Sequence, residues 1–246
     1  MPPASRVGVE ISVFDNVAEL ATAAAQDFLQ TARDALARRG RFGVSLAGGQ
    51  TPRAIHRQIV ALGGAGLPWD LIHVFFGDER CVPPDHPDSN HRMAVDSLLR
   101  DVPIPTDHIH RFQTELDPHT AAAKYEIELR THLPVDPTDW PVFDLIFLGL
   151  GSDGHTASLF PGTAALAETH RWAVPNWVSQ LGVWRLTLTF PVFNAARRIV
   201  FAAAGADKAG AVARVLGLPT SAPPPAERIH PGHGHIRWLL DAAATS

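Results

Sequence analysis

A chain of 246 residues with 46% hydrophobic residues and a net charge of −4 can bury one sizeable α/β core and is too acidic to coat nucleic acid, whose phosphates demand a basic face. Its single cysteine, Cys81, excludes an intrachain disulfide framework and points to a reducing compartment. No apolar run approaches the ~20 residues of a membrane helix, and Met1–Gly8 has no apolar signal core, so the expected location is the cytoplasm, with no membrane partner.

Val7–Phe14 alternates like a strand. Asn16, with Glu19 three residues on, reads as the capping box of an Ala-rich helix that ends at Gly40. Phe42–Leu46 is the second strand. Thr51-Pro52 opens a helix with Thr51 as N-cap; Ile55, Ile59 and Leu62 share its apolar face, and Gly63-Gly64 stops it. Leu71–Phe76 is a continuous apolar run, as expected of a buried parallel strand. A Pro- and Asp-rich loop leads to a helix over about Asn90–Arg100, and His108–Phe112 is a weak strand. Asp117-Pro118 starts a helix ending near Pro134, and Phe143–Leu150 is the strongest buried strand. Trp184–Phe190 alternates, Ile199–Ala204 is apolar, and Asp207 is expected to cap a helix running to Gly217. Ser221–Pro225 is a Pro-rich loop, and His235–Ala244 closes the chain as a short strand and helix. With no repeat and no linker break, a single domain over 1–246 is expected. Repeated strand–helix units imply an α/β fold: a doubly wound, mainly parallel sheet with helices on both faces. Such sheets bind ligands at the C-terminal ends of their strands.

Four polar segments follow strands. Gly48, Gly49, Gln50 and Thr51 join a strand to a helix N-terminus, where free N–H groups and the helix dipole suit a phosphate; an ordinary tight turn is the plainer alternative. Gly77-Asp78-Glu79-Arg80 puts three charges at a strand end, either a functional segment or a solvated loop. Gly149-Leu150-Gly151-Ser152-Asp153-Gly154-His155-Thr156 sets one carboxylate beside one imidazole, a natural proton shuttle; the plainer alternative, that Asp153 caps a following helix, is compatible with it. Lys208 sits in the first turn of a helix, where a cation opposes the dipole and so suggests an anionic partner, unless it is a solvated surface lysine. Arg185 lies on an alternating strand and could face either way. His230, His233 and His235 cluster in a Pro/Gly-rich loop without suitably spaced Cys or carboxylate ligands, so no metal site is expected there. Cys81 could be a nucleophile, but it has no local histidine partner, and a small residue after a strand is the plainer reading. No Gly-x-Ser-x-Gly elbow is present, so hydrolysis would use activated water rather than an acyl-enzyme.

These segments, in this order, resemble the 6-phosphogluconolactonase family. The matching stretches are SLAGGQTP (Ser45–Pro52), FFGDERCVP (Phe75–Pro83), DSNHRMA (Asp88–Ala94), FLGLGSDGHTASLFPG (Phe147–Gly162), RLTLTFPVFNAAR (Arg185–Arg197) and GADKA (Gly205–Ala209), with Trp238 and Asp241 fitting the family's C-terminus. The resemblance implies the doubly wound fold shared with glucosamine-6-phosphate deaminases and hydrolysis of 6-phospho-D-glucono-1,5-lactone in the oxidative pentose phosphate pathway, with no metal or organic cofactor. It implies His155 as general base with Asp153 beside it, and Asp78 and Arg80 as active-site residues, Arg80 polarising the lactone carbonyl. Gly48, Gly49, Gln50 and Thr51 would cradle the phosphate, with Arg185 and Lys208 as cationic clamps. Gln50 departs from the serine of many relatives, leaving open which side chain touches phosphate.

Two rival readings fit less well. Hexosamine-phosphate deaminases of this kind carry Asn-Glu-Pro where this chain reads Leu159-Phe160-Pro161, and the missing Glu serves their ring opening. Sugar-phosphate sensor domains usually carry a helix-turn-helix and would be expected to lose the Asp-Gly-His loop. The expected partner is thus a small phosphorylated lactone, not nucleic acid, and the expected assembly is a monomer or weak homo-oligomer.

Overall fold

A computed structural model describes residues 9–136, 139–217 and 222–246. In chain order they form β1 (Val9–Phe14), α1 (Val17–Arg39), β2 (Phe42–Leu46), α2 (Gln50–Ala61), β3 (Ile72–Phe76), β4 (Asp78–Arg80), α3 (Asn90–Ser97) and α4 (Pro118–His132). There follow β5 (Leu145–Leu148), β6 (Ala173–Val178), β7 (Val183–Leu188), α5 (Phe190–Asn194), β8 (Arg198–Ala203), α6 (Ala209–Leu216) and β9 (His235–Asp241). The apolar runs pair in parallel as one six-stranded sheet, β1-β9-β8-β5-β2-β3. Every residue of β2 and β5 is buried, so both sheet faces are covered, as parallel sheets require. The doubly wound, mainly parallel sheet expected from the sequence is present.

The strand order decides where a ligand can bind. The chain steps outward from β2 to β3, then returns across β2 to lay down β5, β8 and β9. That reversal opens a crevice beyond the C-terminal ends of β2 and β5. Helix α1 backs the sheet with a stripe of Leu20, Ala24, Phe28, Ala32 and Ala35, whose small residues permit close approach. Phe28 meets Phe42 edge-on at 5.4 Å and stacks on Trp69 and Phe147. At the sheet's other edge, the buried Tyr125 hydroxyl of α4 accepts from the Phe76 N–H (2.8 Å) and donates to the Phe76 carbonyl (3.0 Å). It replaces the neighbouring strand that β3 lacks and pins the backbone just before Gly77. No helix among the described residues is long and apolar enough to cross a membrane.

Several local expectations are corrected. Helix α2 begins at Gln50 with Gly49 as its cap and no side-chain cap bond, so Thr51 is not the N-cap; the glycine turn itself starts the helix. Helix α3 stops at Ser97 and continues only as a 3₁₀ turn over Leu99–Asp101. His108–Phe112 forms no strand, only an isolated Val74–Ile109 bridge. No helix follows Asp153 directly, the next helical turn being Ala164–Ala167, so Asp153 is not a helix cap. Asp207 sits inside a 3₁₀ turn (Ala206–Lys208) capped by Gly205, not at an N-cap. Asp78–Arg80 is a short strand rather than a loop, and β4, β7 and β6 make a second, antiparallel sheet, whose β6 is not legible as a strand in the sequence. Val7 and Gly8, and Ser221 of the Pro-rich segment, lie outside the described residues.

Candidate active site

A cavity of about 500 Å³ opens at the crevice beyond β2, β3 and β5. Gly48, Asp78, Arg80, Asp153 and His155 line it, and Arg185 and Lys208 reach it from β7 and from the start of α6. Seven of the ten residues singled out in the sequence therefore share one cavity. Gly49, Gln50 and Thr51 stand at the start of α2 beside Gly48 and are not part of the lining.

The loop after β5 is built around one imidazole. The Asp153 carboxylate accepts from the His155 backbone N–H (3.0 Å) and from its Nδ1 (2.6 Å). Nδ1–H is thereby committed to the carboxylate and Nε2 is left as the basic nitrogen. Burial pushes the Asp153 carboxyl up, but the N–H and imidazole of His155 outweigh it and hold the group below its ordinary value. Phe160 stacks on the ring at 4.0 Å and fixes its plane. Gly151 lies so close that a Cβ there would overlap the His155 ring and Asp153. Gly151→Ala should lower kcat by about 10²-fold through misplacement of the imidazole, with the unfolding midpoint moved far less; wild-type turnover in this variant would show that the ring tolerates displacement.

Strand β4 splits its three charges by alternation. Asp78 faces the cavity, its carboxylate accepting from the Ser158 hydroxyl (2.6 Å) and the Asn90 amide (3.0 Å). Glu79 points the other way and is buried. It accepts from the backbone N–H groups of Arg80, Asn90 and His91, each at 2.8 Å, and from the Ser89 hydroxyl at 3.1 Å. Burial raises its carboxyl above the usual value despite those three N–H groups. Glu79 is thus scaffold: it caps α3 and so positions Asn90 against Asp78. A Cβ on Gly48 would overlap the Asn90 amide, which explains a glycine at that strand end. Glu79, Asn90, Ser158 and Phe160 carry no site role in the sequence reading, although they lie within motif stretches; only three-dimensional contact reveals what they hold.

The cations sit in unusual company. Arg80 and Arg185 are directly opposed in the β4–β7 register, a pairing of like charges that costs stability unless an anion is shared. Burial, then the neighbouring Arg80 charge, lowers the Arg185 pKa. One Arg80 N–H group donates to the Asp88 carbonyl at 2.5 Å. Lys208 is paired with Asp207 at 3.0 Å, so it is not the uncompensated cation the sequence suggests. Asp241 braces this corner by accepting the Gly205 N–H through both oxygens (3.0 and 3.1 Å).

Two further segments singled out in the sequence lie outside this constellation. Burial pushes the Cys81 thiol up to about 11, so it stays protonated and makes a poor nucleophile. Among the described residues, His230, His233 and His235 do not form a metal-ligating group. The segment they belong to packs on the Asp153–His155 loop: the Ala226 N–H donates to the Gly154 carbonyl (3.1 Å), and Pro224 lies against Gly154.

Known proteins resemble this chain over nearly its whole length. Residues 15–238 match the family described as glucosamine-6-phosphate isomerases/6-phosphogluconolactonase. A Nostoc 6-phosphogluconolactonase is 43% identical over 220 residues, covering 89% of this chain and 90% of that one. The structure of 6-phosphogluconolactonase from Trypanosoma cruzi superposes with a TM-score of 0.86 at 29% identity, covering 99% of this chain and 98% of that one. A monomeric glucosamine-6-phosphate deaminase shares the fold at 23% identity, with a TM-score of 0.78 over 96% of this chain and 98% of its own. With a crevice at the strand reversal, an Asp–His pair beside three cations and a match spanning nearly its whole length, the chain belongs to the glucosamine-6-phosphate isomerase/6-phosphogluconolactonase family.

Proposed function

We propose that this protein hydrolyses 6-phospho-D-glucono-1,5-lactone to 6-phosphogluconate, using water activated by His155. The observation that carries the reading is the 2.6 Å Asp153–His155 pair in a cavity that also holds Arg80, Arg185 and Lys208. An imidazole with a fixed tautomer suits a general base, and three cations suit a phosphorylated substrate. The relatives named 6-phosphogluconolactonase support the choice of substrate.

In the proposed reaction, His155 Nε2 takes a proton from water as its oxygen attacks the lactone C1. Arg80 polarises the carbonyl and stabilises the developing oxyanion. The tetrahedral intermediate collapses by breaking the C1–ring-oxygen bond, and the imidazolium returns its proton to the departing ring oxygen. Asp153 holds the imidazolium, and Asp78, anchored by Ser158 and Asn90, shapes the wall beside it. Arg185 and Lys208 hold the 6-phosphate, with Gly48 allowing backbone approach and Gly49, Gln50 and Thr51 presenting the α2 N-terminus behind it. Because a δ-lactone is already activated, general-base help of about 10²–10⁴-fold plus positioning by the phosphate suffices.

The test is hydrolysis of freshly generated lactone, coupled to 6-phosphogluconate dehydrogenase and corrected for spontaneous opening. Turnover well above the spontaneous rate is expected; none would reject the reading. Arg185→Ala and Lys208→Ala should each raise KM for the phosphorylated lactone about tenfold or more yet leave hydrolysis of unphosphorylated gluconolactone nearly unchanged. Equal losses on both lactones would remove these residues from the phosphate site.

A further inference from the structure

Four imidazoles gather at the edge of the main sheet, at the end opposite the candidate active site. His73 lies near the start of edge strand β3. His108 and His110 come from the segment beside it, and His132 is the last residue of α4. His108 stacks on His73 at 4.1 Å, and the His110 and His132 rings lie 4.3 Å apart. They line an open groove of about 450 Å³ that also contains Glu128. Nothing in the proposed lactone chemistry uses them.

We propose that His73, His110 and His132 bind one divalent transition-metal ion of the zinc class, which clamps α4 to the sheet edge. One nitrogen from each ring lies within 4.8 Å of the others. A tetrahedral ion with N ligands at about 2.0–2.1 Å needs nitrogens on the order of 3.4 Å apart, so the widest of these gaps closes by at most about 1.4 Å. His73 Nδ1 and His110 Nε2 already face one another at 2.9 Å, a hydrogen bond whose proton a metal ion would displace as the two nitrogens open to about 3.4 Å. The other nitrogen of His110, Nδ1, meets the Glu128 carboxylate at 3.2 Å. That is the outer partner that fixes a ligating histidine's tautomer and leaves Nε2 its lone pair. Three neutral imidazoles with water in the remaining position suit zinc, nickel or copper better than calcium or magnesium. The ligands come from three separate segments, so binding stabilises their docking by mass action. Tyr125, on the same helix, holds the backbone of Phe76 next to Asp78; the clamp therefore supports the frame of the site without entering its chemistry.

The test uses tag-free, chelator-treated full-length protein titrated with zinc chloride alone, read by calorimetry and by thermal melting, with cobalt(II) absorption as a geometry probe. One equivalent of zinc should bind, about 100 µM zinc should raise the melting temperature by about 5 °C or more, and cobalt should give the intense visible bands of a tetrahedral site. His132→Gln, at a half-exposed helix end, and His73→Gln should each weaken binding by about 100-fold. Their metal-free melting temperatures, compared with wild type, separate loss of a ligand from loss of the fold. His155→Ala and His233→Gln should bind as wild type does. Zinc binding unchanged in both His73→Gln and His132→Gln, or no binding at about 100 µM, would overturn the proposal and leave the cluster as a hydrogen-bonded imidazole stack.

Discussion

His155→Ala is expected to lower kcat for the phosphorylated lactone by about 10²–10⁴-fold while changing KM little. The split follows from geometry. His155 is held by Asp153 and Phe160, while the cations proposed to hold the phosphate stand on other segments. Removing the ring leaves those anchors intact and deletes the base that takes the water proton. Added imidazole should restore part of the rate, since the ring's slot between Phe160 and Gly151 is left empty. Asp153→Asn should fall between the two enzymes, because an amide no longer stabilises the imidazolium and can favour the wrong tautomer. More than half of wild-type kcat in His155→Ala would reject the general-base assignment.

The second large effect is on stability in acid. His56, on α2, is fully buried, and its Nδ1 lies 2.9 Å from the Ser97 hydroxyl. That hydroxyl itself donates to the Met93 carbonyl (2.6 Å), so the ring is the donor. Burial, then the neighbouring Arg53 charge, lowers its pKa from 6.5 to about 3. Below 6.5 the unfolded chain takes up a proton that the folded chain refuses, so the unfolded state binds more protons and stability falls with pH. The stabilisation is complete above 6.5 and drains away between 6.5 and about 3. From about pH 7 to about pH 5 this one group should cost about 2 kcal/mol. Urea unfolding at the two pH values isolates it only by difference from a His56 variant, because His73 and His110, both lowered to about 4, add losses of the same sign. His56→Gln, which cannot titrate, should lose about 2 kcal/mol less over that interval than wild type. Glu79, whose raised carboxyl works in the opposite direction, is common to both proteins and cancels in the comparison. Parallel pH dependence in the two would show that His56 is protonated within the fold.

What was legible in the sequence is local. Phe42–Leu46 reads as a strand, the long apolar runs Leu71–Phe76 and Phe143–Leu150 declare buried ones, and the structure makes them β2, β3 and β5. Asn16 declares its helix start because a cap needs only neighbours: its side chain accepts from the Ala18 and Glu19 N–H groups. The Asp153–His155 pair is legible for the same reason, lying two residues apart in a glycine-rich turn. The errors lie where a residue's state depends on partners far along the chain. Asp78–Arg80 is a strand only because β7, more than a hundred residues later, is there to pair with it. Glu79 looks like its charged neighbours until α3 folds over it and supplies the N–H groups that hold its carboxylate. His73, His110 and His132 are scattered singles in the sequence, and the sheet edge alone collects them. Short-range periodicity and capping determine the elements; which side chains meet across them is decided by the order in which the strands pair, because burial and charge compensation act through space and not along the chain.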